Sequence, residues 1–73
     1  MNIQAKELKT GMTVRNGYWT VDVENITEGK LKNGKKTFTI SGKGVMKYTA
    51  SNKTRNYDLV EFTFKENTKV DVI

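Results

Sequence analysis

"YWTVDVENI", Tyr18 to Ile26, sets Trp19, Val21 and Val23 at alternate positions with Thr20, Asp22 and Glu24 between them. Side chains of an extended strand point to opposite faces in turn, so this spacing belongs to a strand with one face in a core and one in water. The same period recurs downstream. Phe38 and Ile40 alternate with Thr37, Thr39 and Ser41, and Met46 and Tyr48 flank Lys47. Val60, Phe62 and Phe64 alternate with Glu61 and Thr63, and Val70 and Val72 flank Asp71. Only Ala5–Leu8 reads as helical, and it is a single turn. An all-β chain is expected.

Reversals are expected at Asn16-Gly17 and Asn33-Gly34, pairs that tolerate positive φ, and at Gly42-Lys43-Gly44. An open sheet of five or six short strands would leave long edges and an uncovered apolar face. A small closed barrel avoids both, so the expected fold is a five- to six-stranded SH3-like barrel, with an OB-like barrel second. It would form one domain over residues 1–73. Trp19, Phe38, Phe62 and Phe64 are assigned to its core by their register with aliphatic residues, and Tyr48 with them. The chain has neither cysteine nor histidine, so packing alone must hold it, and thiol chemistry and most zinc sites are excluded. No cofactor or metal is expected. The opening MNIQAKELKT lacks the apolar run of an export signal, and no stretch approaches the length of a membrane-spanning helix. A cytoplasmic location without a membrane partner is the expectation.

Charge is unevenly spread. Residues 29–57 hold Lys30, Lys32, Lys35, Lys36, Lys43, Lys47, Lys53 and Arg55 and no acid, while the segments on either side are each slightly acidic. Charges that only keep a domain soluble are normally interspersed with acids. Their segregation points to a partner carrying negative charge, and the phosphate backbone of DNA or RNA is the simplest. Lysines and hydroxyls are the groups that contact phosphate oxygens, and Thr37, Thr39 and Ser41 lie beside Lys35, Lys36 and Lys43. The expected contacts are two loops, Lys30–Lys36 and Lys43–Arg55. Tyr18 falls on the polar side of its strand and Tyr57 opposite Val60, Phe62 and Phe64, so each is a candidate platform for an unpaired base. The alternative reading is a protein-interaction module or inhibitor, of the kind a phage or mobile element encodes, docking its basic face on an acidic protein.

"LKTGMTVRNGYWTVDVENITEGK", Leu8 to Lys30, resembles the opening of the amino-terminal KOW-like domain of elongation factor P and its eukaryotic relatives. The shared features are the Leu-Lys-x-Gly-Met entry, the turn at Asn16-Gly17, a long strand with Val21 and Val23, and a Gly-Lys loop. The resemblance implies an SH3-like barrel with nucleic-acid-facing loops. Lys30 is the nearest match in order to the single modified lysine that the family carries at a loop tip.

An enzyme is not expected. Gly29-x-x-x-x-Gly34-Lys35 approaches a phosphate-binding loop, but Lys36 stands where a hydroxyl residue would ligate magnesium, and a strand is expected to follow instead of a helix. Asp22 and Glu24 share a strand face with no nucleophile or metal ligand beside them, and are read as solvated acids.

Overall fold

The computed structural model describes residues 1–48 and 53–73. The alternating segments are strands: β1 (Asn2–Gln4), β2 (Thr13–Asn16), β3 (Trp19–Asp22), β4 (Asn25–Lys30), β5 (Lys36–Tyr48), β6 (Lys53–Lys65) and β7 (Lys69–Val72), with one turn of 3-10 helix at Ala5–Glu7. They form a single antiparallel sheet in the order β1-β7-β2-β3-β5-β4, with β6 on the other edge of β5. The sheet curls into a half-barrel, the small all-β barrel expected. Seven strands appear because the Tyr18–Ile26 segment bends at Val23–Glu24 and is divided between β3 and β4, and because the short β1 adds to the edge of β7.

The organising element is β5. One of its edges pairs with β6 along its whole length. The other is shared: β4 takes Lys36–Ser41, and β3 takes Gly44–Met46. Where one neighbour hands over to the other, the Glu24 N–H donates to the Ser41 carbonyl at 2.9 Å. There the backbone of Asp22 lies so close that a Cβ on Gly42 would fall on the Asp22 carbonyl oxygen. A Cβ on Gly44 would meet the Val60 side chain. The reversal expected at Gly42-Lys43-Gly44 is therefore absent. The two glycines serve close approach within an unbroken strand.

Both neighbours of β5 carry an extra residue opposite this point. From Gly42 to Gly44 the β5 chain takes two steps while β6 takes three, from Val60 to Tyr57. From Ser41 to Gly44 it takes three while the β3–β4 segment takes four, from Asn25 to Val21. Such bulges increase coiling and reverse side-chain parity. The sheet turns its corner here.

Directly paired residues share a face. The concave face collects Val14, Val21 and Ile40, which are fully buried, with Ala5, Leu8, Val23 and Val70 also buried. Ile26, Phe38, Phe62 and Phe64 pack against them. Full burial of a Val or Ile side chain contributes roughly 1.5–3 kcal/mol, so these few residues carry much of the fold. Trp19 shares this face but stands at its open end, partly buried, with Tyr57 at 5.0 Å and Phe62 at 6.2 Å between ring centroids. The Tyr48 side chain lies outside the description.

β7 runs between β1 and β2, pairing Ile3 with Val70 and Val14 with Val72. Asp71 on this strand accepts hydrogen bonds from Arg15 Nε at 3.0 Å and Nη2 at 2.8 Å. The terminal ammonium lies 3.5 Å from its other oxygen. The Arg15 hydrogen bond is the main reason that the Asp71 carboxyl titrates below its ordinary value.

Three outcomes are expected. Gly42→Ala should cost more than about 2 kcal/mol in chemical denaturation whatever is changed around it, because the obstacle is backbone. Gly44→Ala should be rescued in large part by Val60→Ala, since its obstacle is a side chain, and a double-mutant cycle between the two reads the coupling. As for pH, a depressed carboxyl stabilises the fold above its unfolded pKa, and that share is lost as pH falls through the folded value. Asp71→Asn should therefore lie below the parent in urea midpoint at pH about 6, with the gap closing toward pH about 3.

Candidate nucleic-acid interface

The structure divides seven of the eight central basic residues between the two ends of the molecule, whose longest dimension is 42 Å, and leaves Lys43 between them. Lys30, Lys32, Lys35 and Lys36 surround the turn between β4 and β5. Lys30 pairs with Lys36 across the hairpin. The Leu31 N–H donates to the Lys35 carbonyl at 2.8 Å, and the Gly34 N–H to the Leu31 carbonyl at 3.0 Å, with Gly34 at φ 85°. This is a three-residue loop, Lys32-Asn33-Gly34, with glycine in the left-handed position that closes it. Asn33 Oδ1 accepts from the Lys35 N–H at 3.0 Å, which explains asparagine before the glycine. Lys32 sits in the loop, while Lys30 ends a strand, away from the tip that the elongation factor resemblance would assign it. The Gly29-to-Lys35 segment is a hairpin throughout, with no helix amino terminus to hold phosphate.

Lys47, Lys53 and Arg55 belong to the other end, and Lys43 stands between the two at the β5 bulge. Lys43–Arg55 was expected to be a loop, and the described part is instead a two-stranded ribbon, with Met46 paired to Arg55, Lys47 to Thr54 and Tyr48 to Lys53. Thr49–Asn52 lie outside the described residues. Lys47 and Thr54 point to the convex face, as do Lys43, Val45 and Asn56. Lys53 and Arg55 take the opposite face, in the row of Tyr57 and Trp19. The ribbon is basic on both sides.

The acid-free stretch of sequence is not an acid-free surface. Glu28 enters from β4 and pairs with Lys36 at 3.4 Å, the only ion pair made by any of the eight among the described residues. Asp22 and Asp58 line a shallow hollow with Lys43, Thr20, Val45 and Asn56. Glu61 stands opposite Ser41. The waist of the convex face is thus of mixed charge around Thr39 and Thr63, whose hydroxyls share a hydrogen bond of 2.9 Å. Beyond the waist, the described ribbon residues Val45–Tyr48 and Lys53–Tyr57 include no acid. At the near end one basic residue was missed: Lys65, paired with Thr37 on the convex side, stands next to the loop that carries Lys32 and Lys35. Its segment is acidic on balance, and only the pairing of β6 with β5 reveals the neighbourhood.

The two tyrosines part company. Tyr18 is 61% exposed, in the turn after Gly17, whose φ is 62°. It remains open to a ligand. Tyr57 was expected on the face opposite Phe62, and the extra β6 residue at Asp58–Leu59 reverses that parity. It lies over Gly44, against Trp19. Its ring is engaged in the fold.

No protein-family model, curated protein or solved structure matches this chain.

Tyr57→Ala should therefore act first on stability. An aromatic pair at this spacing contributes about 0.5–1.5 kcal/mol beyond area burial, and truncation of the ring loses more. Equilibrium unfolding should fall by at least about 1 kcal/mol, with a shift in Trp19 emission, whereas Tyr18→Ala should leave both nearly unchanged.

Proposed function

We propose that this protein binds nucleic acid through the basic ribbon of β5 and β6, holding the phosphate backbone from within a groove. The observation that carries the reading is the placement of Lys47 on one face of the ribbon and Lys53 and Arg55 on the other, all exposed. A duplex groove presents phosphates on both walls, and the major groove, about 12 Å wide, admits a two-stranded ribbon. Charge on both faces suits that setting. A flat acidic protein surface would engage one face alone, and protein interfaces depend on buried aromatic or apolar anchors. Among the described residues, the exposed large hydrophobic side chains near this end are Val45, at 38%, Leu59, at 64% in the bulge, and Tyr18, at 61%, whose carbonyl accepts from the Lys47 N–H. Only Tyr18 is aromatic, and one ring in a turn is not the packed cluster of anchors that a protein interface uses. Thr54 and Asn56 supply further groups able to donate to phosphate oxygens.

The test removes equal charge from two places. Lys47→Gln, Lys53→Gln and Arg55→Gln together should weaken binding to duplex DNA at moderate salt by at least about tenfold. The same neutralisation at the exposed Lys6, Lys9 and Lys69 should cost less than about threefold. With about three phosphates neutralised by the ribbon, the parent should lose affinity with a slope near −3 in log salt, and the ribbon variant should be much flatter. Equal binding by both triple variants, or a parent indifferent to salt, defeats the reading.

A further inference from the structure

The near end of the molecule has a role that the ribbon alone does not supply. Lys32, Lys35 and Lys65 gather there on exposed positions without an ion pair among the described residues, and β5 connects them to Lys47 without a break. Twelve residue steps separate Lys35 from Lys47, about 40 Å at the rise of a strand, in keeping with the 42 Å length of the molecule. Between them the waist carries Glu61, Asp58 and Asp22 beside Lys43. A polyanion lying along the whole face would meet those acids. One touched only at the two ends would not.

A double helix offers such a pattern, because it brings the same backbone to one side once per turn, about every 34–36 Å. The spacing of the two basic ends is close to that repeat. On the convex face no aromatic side chain lies among the described residues of β4, β5 and β6, and the ring of Tyr57 is held against Trp19. Tyr18, 61% exposed with its carbonyl bonded to the Lys47 N–H, is the one open ring beside the ribbon among the described residues, and a single ring is short of the row of platforms on which successive unpaired bases stack. Resting on the nucleic-acid reading above, we infer that the ligand is double-stranded DNA, gripped at two points about one helical turn apart, with the ribbon at one point and Lys32, Lys35 and Lys65 at the other. Because the one strand β5 joins the points, the second contact forms without a new encounter and adds to affinity only when the duplex is long enough to reach it.

The experiment measures fluorescence anisotropy at low salt with GC-rich duplexes of about 8, 12 and 18 base pairs and with an 18-nucleotide single strand. Eight pairs span about 27 Å, too few for both contacts, and twelve span about 41 Å. After correction for the number of sites, the parent should bind the two longer duplexes at least about tenfold more tightly than the shortest, and more tightly than the single strand. The triple change Lys32→Gln, Lys35→Gln and Lys65→Gln should abolish this gain and leave affinity for the shortest duplex within about threefold of the parent. All three positions are exposed, and circular dichroism confirms that the fold is kept. A parent indifferent to duplex length, a variant that keeps the gain, or a single strand bound as tightly as the duplex overturns the two-point grip and leaves the nucleic-acid reading standing. Absence of binding to every one of these polymers defeats both.

Discussion

The close passage of Gly42 under the backbone of Asp22 is the constraint on which the rest of the molecule depends. Strand β5 is too long for any one neighbour on that edge, and it must exchange β4 for β3 part-way along. The exchange requires the β3–β4 segment to bend across β5 at a distance only glycine permits. With the bend in place, Ile26 and Val21 both reach the concave face although the chain between them changes phase, and Ile40 is enclosed beneath. Without it the apolar residues of β3 and β4 could not face a common core.

The same corner determines how charge is presented. It lets one hairpin continue past the body, so basic residues that follow one another in sequence end up at opposite ends of the molecule. Acids from β3 and β6 fill the middle. A segment with uniform charge becomes a bipolar arrangement of two basic ends around a mixed waist. This matters because electrostatic attraction at physiological ionic strength extends only about 8 Å, so each end acts as a separate site instead of contributing to one field.

Most of the strands could be read from period two alone, since Phe38, Ile40, Phe62, Phe64, Val70 and Val72 keep their phase. What periodicity does not convey is a change of phase. Val23 and Ile26 are separated by two polar residues, and Tyr57 and Val60 by Asp58 and Leu59, and in each case the break marks a bulge. Read as continuous alternation, Tyr57 falls on the wrong face. The glycine pair at 42 and 44 was equally ambiguous, because a glycine needed for positive φ and one needed for close approach look alike in a sequence. Only Gly11, Gly17 and Gly34 take positive φ among the described residues. The basic residues were all identifiable except Lys65, but their distribution depends on pairings between strands distant in sequence, which local composition does not encode.

The position of β7 between β1 and β2 bears on how the molecule forms. The hairpins β2–β3, β4–β5 and β5–β6 join neighbours in sequence, and each can close over a short loop. Pairing Asn2 with Asp71 and Val14 with Val72 instead closes nearly the whole chain. Loop-closure entropy delays such contacts until other structure has already brought the ends together. Folding should then proceed from the β5-centred hairpins outward, with β7 docking last. The Arg15–Asp71 pair forms only at that final step, so weakening it should speed unfolding and leave the folding rate almost untouched.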